Sequence, residues 1–331
     1  MTTLLEARQI GVDYTSLGVT NHAVNQVDLD LARGEVVGVV GESGCGKSTL
    51  ALALLGLTRP GATITSGSLK LDGQELLGGP AEQWRSIRGA KISLVTQNPR
   101  ASLNPTMRIG KQISAVYQAH TGAGAKQARA ATIGTLQLVG MNDPERRYDA
   151  FPHELSGGMA QRAVIAMATV TKPTVVIADE PTSRLDVTIQ AQILDDLLRA
   201  ANEVGSALVL ITQDLGVVAN YADRVYVLHA GEVVEVADTT SFFDMPLHPA
   251  SIALLAAELG SKDEASKLSG MPADGRHLPP AGCWLQQRCP FADAACGCAS
   301  EHPSLSDQGG GHLARCHRAA MLRERSVGAL R

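Results

Sequence analysis

Short runs of β-branched and aliphatic residues alternate along this chain with longer stretches whose apolar positions follow a helical period. The runs Val36–Val40, Ile92–Gln97, Thr174–Asp179, Ala207–Thr212, Arg224–His229 and Glu232–Val236 read as strands. Several are apolar without alternation, the pattern of strands covered on both faces. In Ile189–Val204 the residues Ile189, Ile193, Leu194, Leu197, Leu198, Ala201 and Val204 fall on one side of a helix. This alternation predicts an α/β fold with a largely parallel sheet and helices on both faces. Residues 99–155 break the pattern. Asn98–Pro105 is loop-rich and about Gly110–Leu138 is helical, so an inserted helical lobe is expected, extending to about residue 160. After about residue 240 the strands are expected to stop, and glycine, proline and cysteine punctuate a tail.

Composition narrows the functional field. The chain has 331 residues, 44% hydrophobic but only 3% aromatic, which suits a core packed with alanine, valine and leucine. That length accommodates one large domain and a smaller one, expected here as 1–240 and 241–331. A net charge of −4 gives no general pull toward nucleic acid. No apolar stretch approaches the roughly 18–20 residues needed to span a bilayer. Met1–Ile10 carries Glu6 and Arg8 and lacks a hydrophobic signal core, so a soluble chain made in the cytoplasm is expected, with any membrane role coming through a partner. Cys45 stands alone, whereas Cys283, Cys289, Cys296, Cys298 and Cys316 crowd the tail; in a cytosolic chain such crowding argues for metal rather than disulfides.

The stretch Gly41-Glu42-Ser43-Gly44-Cys45-Gly46-Lys47-Ser48-Thr49 fits the pattern G-x-x-x-x-G-K-S/T between an apolar strand and the apolar run Leu50–Leu57. Gly41, Gly44 and Gly46 let the backbone curl so that successive N–H groups point at phosphate oxygens. The helix beginning near Lys47 adds the partial positive charge of its N-terminus. Lys47 can reach the β- and γ-phosphates, and the Ser48 hydroxyl can ligate Mg²⁺. A nucleoside triphosphate is the expected ligand. At a helix N-terminus the Cys45 thiolate would be favoured, so Cys45 is expected to be alkylated in a manner that ATP blocks.

A second stretch, Leu155-Ser156-Gly157-Gly158-Met159-Ala160-Gln161-Arg162, leads into the helical pattern Ala163–Val170. Asp179 lies 21 residues after Gly158 and, with Glu180, ends the apolar strand Val175–Ala178. The first carboxylate can hold Mg²⁺ and the second can orient or deprotonate an attacking water. The acidic pair Asp195/Asp196 reads as the solvated side of its helix.

Together these motifs, over roughly residues 4–240, resemble the ATP-binding subunits of ABC transporters. The resemblance implies a P-loop NTPase with a RecA-like, mostly parallel sheet core, an inserted helical subdomain and a short cysteine-rich C-terminal extension. It implies that Tyr14 stacks on adenine, that Gln97 contacts Mg²⁺ and the water, and that Ser156, Gly157 and Gly158 cap the γ-phosphate of ATP held by the other subunit. ATP would then join two head-to-tail subunits, and hydrolysis would release them.

Asp186-Val-Thr-Ile-Gln-Ala-Gln-Ile-Leu194, Ser102-Leu103-Asn104-Pro105, and His248-Pro249 before Ile252–Leu259 are similar to the oligopeptide, dipeptide and nickel importer ATPases. The tail is similar as well, with Gly282-Cys283, Arg288-Cys289-Pro290, Cys296, His302-Pro303 and Cys316-His317. By that resemblance Cys283, Cys289, Cys296 and Cys316 would hold a four-iron four-sulfur (4Fe–4S) cluster. Four thiolates suit zinc equally well, with Cys298 and His317 as further ligand candidates, and the spacing lacks a C-x-x-C that would decide. The implied partners are a second ATPase subunit, two transmembrane permease subunits and an extracytoplasmic solute-binding protein. The implied location is the cytoplasmic face of the bacterial inner membrane, as a peripheral subunit without nucleic acid.

Two positions depart from the family pattern. Thr212-Gln213-Asp214 stands where Thr-His-Asp is usual, and Gln213 can donate a hydrogen bond but cannot carry a proton or a positive charge. Arg184 stands where a small residue is usual, in a loop that the family places at the subunit interface. The chain's own site is therefore expected to be slow or inactive, while its signature segment serves a partner's site; a partner with its own histidine, a paralogue, suits this better than a second copy. The alternative is a nucleotide-gated dimerisation module with little turnover. A soluble ABC protein of DNA repair or translation fits poorly, since the chain has one such domain and no heptads.

Overall fold

The computed structural model describes residues 3–16, 18–183, 185–258, 281–293 and 295–329. Arg184 lies outside the described residues. The strands are β1 (Thr3–Ser16), β2 (Val19–Ala32), β3 (Val36–Val40), β4 (Ala62–Leu71), β5 (Gln74–Glu75) and β6 (Ile92–Val95). There follow β7 (Val175–Asp179), β8 (Ala207–Ile211), β9 (Arg224–His229), β10 (Glu232–Asp238), β11 (Ser306–Asp307) and β12 (Leu313–Ala314). The helices are α1 (Lys47–Ala53), α2 (Ala81–Ile87), α3 (Pro99–Ser102), α4 (Ile109–Thr121), α5 (Ala125–Leu138) and α6 (Pro144–Tyr148). Then come α7 (Gly157–Thr169), α8 (Val187–Glu203), α9 (Leu215–Tyr221), α10 (Thr239–Asp244), α11 (Pro249–Glu258) and α12 (Ala319–Ala329).

The chain divides into two compact units. The first comprises the N-terminal residues through Leu5, Leu31–Glu35 and Lys70–Ile211. Its β6, β7 and β8 pair in parallel, Ile92 opposite Val175 and Val175 opposite Ala207. Val175–Ala178 and Ala207–Ile211 are buried throughout, so neither strand needs a polar face. The helical lobe is present, but the expected single run is two helices. Gly122, with φ +68°, ends α4 in the left-handed conformation that lets the chain turn back into α5. Between the helices the Ser114 hydroxyl meets Thr132 Oγ1 at 2.9 Å and Tyr148 Oη at 3.1 Å, a buried polar trio satisfied from within.

Helix α8 buries Ile193, Leu194, Leu197 and Ala201. Of the acidic pair, only Asp195 is solvated. Asp196 is 4% exposed and accepts from Arg162 Nε of α7 at 2.8 Å and from Arg199 at 2.5 Å. The expectation of a solvated pair fails because α7 lies along this side of α8 and supplies a cation.

The second unit comprises Glu6–Asp30, Val36–Leu69 and the chain from Thr212. Most of β1, β2 and β4 belongs to it, in the order β2-β1-β4. In the same unit β3 pairs in parallel with β9, and β9 pairs antiparallel with β10. The strands do not stop near residue 240. β12 pairs with β10 through Glu235 opposite Ala314 and Val236 opposite Leu313, and β11 pairs with β12. Two-residue strands are too short to show a period, so the sequence pattern could not disclose them.

Replacing Asp196 with Ala leaves the Arg162 guanidinium half-buried without its carboxylate. The expected loss is about 3 kcal/mol, read as a lower urea midpoint, and Arg162→Ala added to it should cost less than the sum of the single changes. An unchanged midpoint would return the pair to the solvated surface.

Candidate functional site

In the second unit, β3 delivers the chain into the Gly41–Thr49 loop and α1 receives it. A Cβ on Gly41 would lie 2.1 Å from the Leu228 carbonyl oxygen, and one on Gly46 would lie 2.3 Å from the Ala23 carbonyl oxygen. Backbone packs directly on backbone at both places, so only glycine is accommodated. The Gly231 N–H donates to the Cys45 carbonyl at 2.9 Å, tying the loop to the β9–β10 turn. Lys47 is 5% exposed, and its Nζ donates to the carbonyls of Gly41 at 2.7 Å and Glu42 at 2.9 Å. The lysine thus curls over its own loop. Ser43 and Gly44 are exposed, and Ser48 and Thr49 are half-buried in the first turn of α1. Burial raises the Glu42 carboxyl, against the opposing charges of Arg288 and Lys47.

Cys45 corrects an expectation. It is 1% exposed, and burial pushes its thiol up, with the nearby Lys47 only partly opposing. The helix N-terminus does not produce a reactive thiolate here, because desolvation is the larger effect.

Tyr14 lies half-buried in β1. Gln213 is exposed, one residue before Asp214, whose side chain accepts from Val217 N at 3.0 Å and caps α9.

In the first unit, β7 ends at Asp179, and Glu180 turns the backbone to φ +47°, left-handed for a non-glycine residue. Its N–H donates to the Ile211 carbonyl at 2.8 Å, and its Oε2 accepts from Gln97 Nε2 at 2.5 Å. The structure therefore brings Gln97 and Glu180 together. Ser156 caps α7 by accepting from Met159 N at 3.3 Å. A Cβ on Gly157 would sit 3.4 Å from Leu185 Cδ2 and one on Gly158 3.1 Å from Ile189 Cγ2, so the signature glycines lie close against the start of α8.

In the tail the expected four-thiolate set does not close. Cys296 and Cys298, with Cα atoms 5.1 Å apart, are joined as a disulfide, while Cys283, Cys289 and Cys316 are not disulfide-bonded. Burial raises all three thiols, Cys316 to about 12, and each of Cys283 and Cys289 adds its charge to that effect on Cys316. Among the described residues no group of three or more His, Cys, Asp or Glu side chains is arranged to hold a metal ion. One residue separates Cys296 from Cys298, so their pairing is local, and with it in place Cys296 offers no free thiolate to an iron–sulfur or zinc set.

Sequence reasoning singled out neither Glu232 nor Glu235. Both are buried carboxylates in a strand whose other buried residues are apolar, which is the signal that could have marked them. Glu235 accepts from Leu247 N, His248 N and His312 Nε2 at 2.7, 2.9 and 2.7 Å.

Residues 24–183 match the ABC transporter family, and residues 234–296 match the C-terminal region of oligopeptide/dipeptide transporters. The chain is 39% identical over 316 residues to the dipeptide transport ATP-binding protein DppD of Escherichia coli K12, covering 95% of this chain and 96% of that protein. It is 44% identical over 269 residues to the oligopeptide transport ATP-binding protein OppD of Lactococcus lactis subsp. cremoris SK11, covering 81% of this chain and 80% of that one. Among solved structures, the dimeric ATP-binding cassette MJ0796, in a post-hydrolysis state with ADP and Pi, superposes with a TM-score of 0.64 at 26% identity, over 71% of this chain and 99% of that one.

Cys45 should react slowly with iodoacetamide in the native chain, at alkaline pH as well as neutral, and rapidly in denaturant. Mass-spectrometric labelling rates check this; fast native labelling would contradict the burial.

Proposed function

We propose, for a chain that belongs to the ATP-binding subunits of ABC transporters in their oligopeptide/dipeptide branch, the role of the ATPase that energises import of peptides or related small solutes. The observation that carries the reading is the Gly41–Thr49 loop, held by backbone contacts that exclude a Cβ and roofed by Lys47. Its N–H groups take the phosphates, Lys47 meets the β- and γ-phosphates, and Tyr14 stacks on adenine. Ser48, Gln97 and Asp179 offer oxygen donors of the hard type that Mg²⁺ selects. When bound, the ion neutralises charge developing on the transferred phosphoryl group. Glu180 orients or deprotonates the attacking water. Its left-handed backbone and its bond from Gln97 support that role, since strain of this kind is kept where function needs it. Ser156, Gly157 and Gly158, at a capped helix N-terminus, serve the γ-phosphate of ATP held by a second ATPase subunit.

Residues 1–240 form the ATPase part in this reading and 241–331 the extension. Among the described residues no helix is long and apolar enough to cross a membrane. Attachment at the cytoplasmic face of the membrane then falls to two permease subunits, with an extracytoplasmic binding protein supplying the solute. The cluster implied by Cys283, Cys289, Cys296 and Cys316 requires Cys296 to part from Cys298. Iron and a broad visible absorption band in anaerobically purified chain would support it, and the absence of both would remove it.

Gln213 makes this chain's own site the slow one and its partner a paralogue that retains the histidine. A nucleotide-gated module with little turnover is the second reading, favoured by the same residue. Gln213→His should raise ATP hydrolysis of the assembled transporter by about tenfold or more, and Glu180→Gln should abolish that gain. Unchanged hydrolysis in Gln213→His would sink the slow-site reading. Lys47→Ala should abolish ATP binding; retained binding would sink the ATP site itself.

A further inference from the structure

The turn between β9 and β10 is part of the wall of the phosphate loop. Gly231 donates its N–H to the Cys45 carbonyl, and its own carbonyl accepts from Asn25 N at 2.8 Å. A trans peptide points its C=O and its following N–H in opposite directions. Holding the Cys45 carbonyl toward the turn therefore aims the Gly46 N–H the other way, toward the side on which the ATP reading places the phosphates.

The residue after Gly231 is Glu232, 4% exposed. Its Oε1 accepts from Asn25 Nδ2 at 2.9 Å, so Asn25 grips both the turn and the carboxylate. Its Oε2 accepts from His302 Nε2 at 2.8 Å, with Arg315 Nε at 3.7 Å. His302 presents its other nitrogen to the Gly282 carbonyl at 3.2 Å and packs its ring on Trp284, centroids 4.6 Å apart. A register shift between Val233 and Glu235 accounts for the second carboxylate's direction. Without that bulge, residues 232 and 235 would face opposite sides of the strand; with it, both turn to one side. Glu232 meets His302 and Glu235 meets His312, both from the tail. Arg288, in the same segment, acts by its charge on Glu42 of the loop and on His229 of the turn.

We propose that the C-terminal segment, residues 282–316, braces the phosphate loop, and that His302 is a positioning residue for ATP: it holds Glu232, and the turn beside Glu232 holds the Cys45–Gly46 peptide. This rests on the reading of the loop as the ATP site. The tail thereby contributes to nucleotide affinity without touching nucleotide. An error in aim at one loop peptide is costly, because phosphate binding depends on several N–H groups converging at once.

The test is equilibrium binding of MgATP to the full-length chain by calorimetry. His302→Phe keeps a ring on Trp284 but removes both ring nitrogens, and should weaken MgATP binding about tenfold. His302→Gln retains a donor and should recover most of that loss, which a purely structural role for the ring would not require. Glu232→Gln preserves the shape of the strand residue while removing the charge that faces His302, and should also weaken binding. Wild-type affinity in His302→Phe overturns the brace, as does a His302→Gln variant as weak as His302→Phe. Should His302→Phe not fold, wild-type affinity in Glu232→Gln overturns it. If the unmodified chain binds no MgATP, or Lys47→Ala binds it equally well, the ATP-site reading fails instead.

Discussion

The phosphate loop has no room to be anything but glycine at two of its positions. A Cβ at Gly41 or Gly46 would press into the carbonyl oxygen of Leu228 or Ala23 at 2.1 or 2.3 Å. That backbone-on-backbone packing sets much of the second unit. It fixes the path of the loop between the end of β9 and strand β2. It also buries Cys45 beneath the loop and leaves Lys47 within reach of its own loop carbonyls. In this state the ammonium is desolvated but not unpaired, since two carbonyl oxygens substitute for water. Phosphate oxygens bearing full charge are better acceptors than those carbonyls, so the lysine is poised to exchange one set for the other.

At Cys45 burial outweighs local charge. A helix N-terminus and a lysine both favour a thiolate at Cys45, yet the thiol is pushed up because it lies within the core. At the histidines near the tail, burial and charge act together. Burial lowers His229 to about 4 and His248 to about 3, and the cations Arg288 and Arg315 push in the same direction. Both are therefore neutral hydrogen-bonding groups, and His248 uses Nδ1 to accept from Ala250 N at 3.1 Å. Neighbours in sequence suggest charge effects, whereas depth is a property of the fold.

That distinction separates what was legible in the sequence from what was not. Strands β3, β7, β8 and β9 are visible because each is built on a run of apolar residues, and β3 and β9 have the expected bounds, Val36–Val40 and Arg224–His229. The loop, the Asp179–Glu180 strand end and the signature segment were visible because their chemistry dictates residue types at fixed spacing. Strands β1, β2 and β4 were not singled out. Gln9 and Gln26 take left-handed φ values of +51° and +48° within β1 and β2 and break the alternation that would have marked them. Asp196 is not legible as a buried acceptor because that role depends on Arg162, 34 residues earlier in the chain. The crowding of cysteines in the tail argues for metal rather than disulfides, and the Cys296–Cys298 disulfide departs from that expectation because proximity in the folded tail, not the count of cysteines, decides pairing.

The tail also shows why a metal need not be the whole account of a cysteine-rich extension. Its strand β12 continues the pairing of β10, and its histidines satisfy two carboxylates that β10 buries. A buried carboxylate without such a partner is expensive, so Glu232 and Glu235 make the ATPase strand depend on the tail for hydrogen-bond partners. β10 begins at the turn that grips the phosphate loop, and Glu232 is the first residue after that turn, so the carboxylate that the tail satisfies lies next to the loop's own anchor. The tail thus meets the ATPase strand through hydrogen bonds of His302 and His312 and not through its cysteines.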